Sequence, residues 1–260
     1  MCKASNIVLG LDVGGTGIKG GLVDVVTGEL VSQRFKVATP QPATPKSISK
    51  TISTIISMSD YKGKIIGCGF PAVINNGIAK TASNIDKSWI GVSATDTFKK
   101  FNPKFNFNVI NDADVAGYAE MKYGAGKHVK GVVLLITIGT GLGSALFIDG
   151  KLVPNTEFGH IYLKEHKKIA EKYASNAVRT KNELSWDKWG KRFKEYLDHI
   201  IFLLSPELVI LGGGVSKRFD DFRDYLKVDA KVLPAILKNN AGIIGAASFA
   251  HNNQYVKANF

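Results

Sequence analysis

The chain has 260 residues and a mass of 28.1 kDa, with 45% hydrophobic and 22% charged residues and a mean hydropathy of +0.02. That length suits one or two domains that bury roughly 70–75% of the unfolded surface, and the balance excludes disorder and collagen-like repeats. Lys and Arg number 34 against 22 Asp and Glu, a net charge of +12; nucleic acid, an anionic membrane or a polyphosphorylated ligand would all suit it, and so would a merely solvated lysine-rich surface.

The two cysteines, Cys2 and Cys68, cannot form a disulfide framework or a four-cysteine zinc site. The first six residues are polar and show no signal peptide. The most apolar stretch, 132–148, is short for a membrane span and is interrupted by Gly139, Gly141 and Gly143. A cytoplasmic protein without a membrane partner is expected.

Residues 7–12 predict a buried strand, being short, apolar and β-branched. Strands over 20–24 and 30–37 follow, with tight turns between them, as an antiparallel meander. Thr44-Pro45 supplies an N-cap and a first-turn proline, and Ile48, Ile52, Ile55 and Ile56 carry a helix to about Ser59. Another strand covers 64–70. A strand over 107–110 ends in Asn111-Asp112, and a helix runs from 112 or 113 to Tyr123, stopped by Gly124-Ala125-Gly126. Strands flank Gly139-Thr140-Gly141-Leu142-Gly143. Trp186, Trp189, Phe193, Tyr196, Leu197, Ile200 and Ile201 mark the core face of one long helix. A strand over 208–211, a helix capped by Ser216 and carrying Phe219, Phe222 and Leu226, and a last helix over about 242–250 complete the chain.

Two glycine-threonine turns stand out: Asp12-Val13-Gly14-Gly15-Thr16-Gly17 and Thr137-Ile138-Gly139-Thr140-Gly141. Each lies between strands, which suggests an internally duplicated, two-domain fold with a cleft between its halves. Gly15-x-Gly17-x-x-Gly20 has the spacing of the dinucleotide fingerprint. It is rejected as one, because that fingerprint needs a helix to start inside it and Gly20-Gly21 opens a strand. What remains is a strand–turn–strand whose amides can hold phosphate oxygens, with glycine allowing the close approach. A ligand-free hairpin is the plain alternative for one turn and a weaker one for two. The phosphate-binding set is then Asp12, Gly14, Gly15, Thr16, Gly17, Thr137, Gly139, Thr140 and Gly141. Lys19 either neutralises phosphate or faces solvent. Asp12 beside phosphate requires a cation, which implies Mg²⁺ held through water.

Four stretches in order resemble the ROK sugar kinases, a family of repressors, open reading frames and kinases: Asp12 to Thr16, Asn111-Asp112, Gly139 to Gly143, and Glu157-Phe158-Gly159-His160. The resemblance implies an α/β, two-lobed hexokinase–actin (ribonuclease H-like) fold with an inter-domain cleft. Residues 1–112 plus 242–260 would form the small lobe and 113–241 the large one. Thr81 to Gly91, Leu184-Ser185-Trp186 and Gly212 to Lys217 are similar to the polyphosphate glucokinase branch. The family's cysteine-rich zinc run is absent after His160, so no zinc is expected. The usual Phe-Pro-Gly-Val reads Phe70-Pro71-Ala72-Val73 here.

By itself Asp112 reads as a helix N-cap; the resemblance makes it the general base that takes the sugar hydroxyl proton. The resemblance likewise places Asn84, Asn111, Glu157, His160 and Glu171 on the hexose, Glu171 on the shortest match. Glu157-x-x-His160 does not suit a di-iron site, which needs a helix and two copies. The implied reaction moves a phosphoryl group from polyphosphate to the 6-hydroxyl of glucose, or of mannose, with ATP as alternative donor and a homodimer as assembly. Nucleic acid is not expected as a partner: the family's repressors carry an N-terminal helix-turn-helix, and the first turn here already begins at Asp12. A silent sugar sensor would be expected to lack the base or the glycine turns.

Overall fold

The computed structural model describes residues 6–256, so Cys2 and most of the expected polar start lie outside the described residues. The described chain divides into two compact units, residues 6–119 with 240–256, and residues 120–239.

In unit 1, β1 (Ile7–Val13) and β2 (Gly17–Asp24) form an antiparallel hairpin in which Asp12 stands opposite Lys19. Strands β3 (Glu29–Leu30) and β4 (Phe35–Ala38) both pair with β2, where the sequence predicted a single strand over 30–37. The cause is Ser32, whose Oγ accepts the Leu22 N–H at 3.0 Å and takes the place of a ladder carbonyl. Helix α1 (Pro45–Ser59) starts as predicted: Thr44 accepts the Ser47 N–H, and Ile48, Ile52, Ile55 and Ile56 are buried. Strand β5 (Ile65–Phe70) runs parallel to β1, a two-residue pair β6 (Ile74–Asn75) and β7 (Ile78–Ala79) follows, and α2 (Ala94–Phe101), unforeseen in the sequence, is capped by Ser93. Strand β8 (Asn106–Asn111) lies parallel to β5 and passes directly into α3 (Asp112–Tyr123), whose residues 112–119 group with unit 1.

In unit 2, β9 (Val132–Ile138) and β10 (Leu142–Ile148) repeat the hairpin, and β11 (Lys151–Val153) extends it. Two short helices, α4 (Glu171–Ala174) and α5 (Asn176–Lys181), lead to α6 (Trp186–Leu204), whose Trp189, Phe193, Tyr196, Leu197 and Ile200 are fully buried. Strands β12 (Leu208–Gly212) and β13 (Lys231–Pro234) run parallel to β9. The helix expected from Ser216 is instead two 3₁₀ segments over 214–221 and 223–225, with Phe222 still buried. Gly213 enters at φ 77° and the Ser216 hydroxyl donates back to its carbonyl at 2.8 Å, so Ser216 closes a tight turn rather than capping an α-helix.

The last helix, α7 (Ala241–Val256), is longer than predicted and belongs to unit 1. It lies with its backbone against the sheet: a Cβ on Gly10 would stand 2.0 Å from the Ile243 carbonyl oxygen, and one on Gly67 would stand 1.8 Å from that of Ala246. Only glycine permits that approach.

Candidate active site

Unit 1 gathers nine of the expected site residues around the β1–β2 turn and the end of β8. The turn is closed by the Gly14 N–H, which donates to the Gly17 carbonyl at 3.1 Å. Thr39 holds it from outside: its hydroxyl donates to the Gly14 carbonyl at 2.5 Å and its N–H to the Thr16 carbonyl at 3.3 Å. With those carbonyls engaged, the exposed N–H groups of Gly15 and Thr16 find no acceptor among the described residues. Free successive amides in a turn are the means by which backbone binds an anion. Exposed Asn84 is adjacent, since a Cβ on Gly15 would lie 3.5 Å from the Asn84 carbonyl oxygen.

Lys19 is tied to Asp12 across the β1–β2 hairpin. Its Nζ is paired with Asp12 Oδ2 at 2.8 Å, both side chains being largely buried. The Asp12 carboxylate also lies against the first turn of α7, where a Cβ on Gly242 would stand 2.9 Å from its Cγ; a helix start favours negative charge. Among the described residues no group of three His, Cys, Asp or Glu side chains can hold a metal ion. With one oxygen already on Lys19, Asp12 suits a hydrated cation rather than an all-protein cage.

Asn111 and Asp112 sit where β8 becomes α3. Asn111 is 7% exposed, and its Oδ1 accepts the N–H groups of Ala113 at 2.8 Å and Asp114 at 3.2 Å, so its side chain caps α3. Its Nδ2 donates to the Ala72 carbonyl at 3.2 Å, which ties the cap to the Phe70-Pro71-Ala72-Val73 segment. Asp112, half-buried, accepts the Ala113 N–H at 2.8 Å on Oδ1. Asp114 is fully buried.

Unit 2 repeats the turn, with the Gly139 N–H donating to the Gly141 carbonyl at 3.0 Å and Thr137 half-buried on β9 just before it. Exposed Thr140 stands at the tip. Three acid–base side chains converge beside it. His160 Nδ1 lies 3.7 Å from Glu157 Oε2, and Nε2 lies 4.0 Å from Glu171 Oε2. These are ion-pair distances rather than hydrogen bonds. Lys172 pairs with the other Glu171 oxygen at 2.9 Å. Burial pushes the Glu157 carboxyl above its usual value; neighbouring Glu171 adds to that and His160 opposes it. Glu171 also lies over the turn, because a Cβ on Gly141 would stand 2.4 Å from its Oε2.

Residues 8–177 match the ROK family. The chain belongs to that family. It is 46% identical over 238 residues to a polyphosphate glucokinase of Mycobacterium tuberculosis, which covers 92% of this chain and 89% of the relative. The crystal structure of inorganic polyphosphate/ATP-glucomannokinase from Arthrobacter sp. strain KM matches with a TM-score of 0.91 at 44% identity, over 96% of this chain and all of that one. A ROK family glucokinase from Streptomyces griseus, in complex with glucose and AMPPNP, matches at a TM-score of 0.82 and 26% identity, over 95% and 99% of the two chains. The fold of this ROK protein is therefore that of the ROK sugar kinases.

Three contributors escaped the sequence. Thr39 braces the first turn from 25 residues away. Lys36, opposite Lys19 on β4, lays its side chain over Gly17, whose Cβ would stand 3.2 Å from the Lys36 Cε. Gly242 leaves room for Asp12. None has a local pattern, because each reaches the turn through sheet pairing or helix docking.

Proposed function

We propose that this chain is a kinase that transfers a phosphoryl group from inorganic polyphosphate to the 6-hydroxyl of glucose, with mannose as a second acceptor. The observation that carries the reading is the 46% identity to a polyphosphate glucokinase across nearly the whole chain. ATP as a second donor is favoured by the 44% identical relative, named for polyphosphate and ATP alike and for glucose and mannose together.

In this reading the free amides of Gly15 and Thr16, with Gly14 and Gly17 shaping their turn, receive donor phosphate oxygens; Thr137, Gly139, Thr140 and Gly141 do the same in unit 2. Lys19 and Lys36 set the charge at the first turn, Lys19 while restraining Asp12. A magnesium ion on the donor would neutralise the charge of the transferred group, and Asp12 is the residue that would hold it through water. Asp112 accepts the proton of the attacking hydroxyl. Asn111 fixes the peptide on which Asp112 stands, and with Asn84, Glu157, His160 and Glu171 supplies hydrogen bonds to the hexose. The enzyme works as a cytoplasmic homodimer.

The test is a donor competition: purified protein, glucose, Mg²⁺, and polyphosphate against ATP, with glucose 6-phosphate as readout. Polyphosphate is expected to give the higher kcat/KM. Asp112→Asn is expected to lower turnover by at least ~10²-fold, the lower bound for a general base. No glucose 6-phosphate from polyphosphate would reject the donor, and an Asp112→Asn enzyme with normal kcat would reject the base.

A further inference from the structure

The Gly139–Gly141 turn has cationic neighbours on two elements packed against it or against the end of β9. The Ala177 N–H at the start of α5 donates to the Gly139 carbonyl at 3.1 Å, and α5 carries Arg179. The 214–221 segment begins against the end of β9, since a Cβ on Gly213 would stand 2.5 Å from the Ile138 carbonyl oxygen; this segment carries Arg218. Both guanidinium groups then meet one ring. Arg179 Cζ lies 4.0 Å from the Trp186 centroid and Arg218 Cζ 5.4 Å. Phe222 stacks on the same indole at 5.7 Å.

The two cations differ in their counter-charges. Arg218, well exposed, pairs with Asp221 through Nε. Arg179 is half-buried, and its planar group is oriented by neutral acceptors: Nε donates to Asn176 Oδ1 at 3.0 Å, and Nη1 to the Leu184 carbonyl at 3.3 Å. Among the described residues no carboxylate stands within 4.0 Å of it. A fixed, partly desolvated guanidinium without an anion is a favourable partner for an arriving oxyanion. Around the turn the surface is open: a Cβ on Gly139 or Gly214 would meet nothing within 4 Å.

We propose that Arg179 and Arg218, braced on Trp186, form a second anion subsite that binds the tail of an inorganic polyphosphate chain whose head lies at the Gly139–Gly141 turn. The ligand is a linear polyanion without a base, because the indole in the subsite is already covered by two guanidinium groups and a phenyl ring. This deepens the donor assignment proposed above and rests on it. Recognition here is charge along a chain, so occupancy of the subsite grows with donor length and weakens with salt, as for single-stranded polyanions.

The experiment measures KM for long-chain polyphosphate and for tripolyphosphate across a salt series. It compares wild type with Arg179→Gln, Arg218→Gln and Arg179→Lys, and with Lys151→Gln on exposed β11 as a charge-matched control. Each Arg→Gln variant should raise the long-chain KM about five- to tenfold, the loss of one charge-assisted contact. Each should also flatten the slope of log KM against log salt by about 0.7, one phosphate contact on a flexible polyanion. Tripolyphosphate should be affected less, narrowing the preference for long donors. Arg179→Lys should restore the salt slope, and Lys151→Gln should match wild type. If both Arg→Gln variants keep the wild-type long-chain KM and slope, or shift both donors equally, the subsite is overturned. If Arg179→Gln does not fold, exposed Arg218→Gln decides by the same criteria. A wild-type protein inactive with every polyphosphate would reject the donor assignment itself, a result separable from these.

Discussion

Asn111→Ala separates a purely sugar-facing asparagine from one that also builds the site. The side chain accepts two N–H groups at the start of α3 and donates to the Ala72 carbonyl, at 7% exposure. The Ala113 N–H keeps its second acceptor on Asp112, so truncation chiefly removes the bonds to the Asp114 N–H and the Ala72 carbonyl. Loss of an N-cap costs about 1 kcal/mol. A buried polar group left unpaired costs about 1–3 kcal/mol. With partial relaxation the expected total is about 2–4 kcal/mol. Asn111→Ser keeps a capping oxygen and forfeits only the link to Ala72, so it should fall between wild type and alanine. Urea unfolding with unchanged m-values reads the difference as a shift of midpoint. Because the cap also fixes the peptide of Asp112, kcat should fall together with stability. If Asn111→Ala unfolds within about 0.5 kcal/mol of wild type and only the glucose KM moves, the structural role argued here is wrong.

Three more expectations follow from named groups. Thr39→Val, nearly isosteric, deletes the bond to the Gly14 carbonyl and should cost about 1–2 kcal/mol; a donor KM that stays at the wild-type value would show that the brace does not shape the turn. Tyr196 is fully buried and its hydroxyl has no partner among the described residues, so Tyr196→Phe should stabilise the protein by about 1 kcal/mol in urea unfolding; a destabilised variant would refute this. The Glu157 carboxyl, raised by burial, binds its proton more tightly folded than unfolded, so its contribution is greatest below the ordinary glutamate value of about 4.3 and is lost as pH rises through the folded value. Glu157→Gln should therefore gain on wild type with rising pH in unfolding midpoints measured from pH 4 to 8, and a gap independent of pH would contradict the shift.

What the sequence made legible was what short-range periodicity encodes. The buried runs of β1, β5, β9 and β12, the Thr44-Pro45 start of α1 and the apolar face of α6 were readable because each states its environment within a few residues. The breaks were not. One side chain, Ser32, split the predicted third strand, and one positive φ at Gly213 turned a predicted helix into 3₁₀ turns. In the site, the glycine turns and the Asn111-Asp112 junction announced themselves. The pairing of Lys19 with Asp12 follows from a β1–β2 register that places the two residues opposite each other, which a glycine-rich motif does not reveal. His160 bridging Glu157 and Glu171 needed the loop between them folded.

The two sheets have the same construction. In unit 1 the order is β3-β2-β1-β5-β8 and in unit 2 it is β11-β10-β9-β12-β13, with the antiparallel hairpin on one side of the central strand and two parallel neighbours on the other. The glycine turn joins the corresponding pair of strands in each. A backbone closure that recurs on so different a set of side chains supplies what the two turns share, donor N–H groups and room for an oxyanion, and it cannot supply what differs. The difference comes from third elements. β4 brings Lys36 to the first turn, and α7 sets its first turn against Asp12. At the second, α4 lays Glu171 over Gly141, and Lys172 balances that carboxylate. An anion approaching the second turn therefore meets a carboxylate balanced by one lysine, whereas the first turn carries Lys36 in addition to the Lys19–Asp12 pair. That asymmetry is why positive charge beyond the second turn, at Arg179 and Arg218, has an electrostatic use that a solvated surface lysine does not.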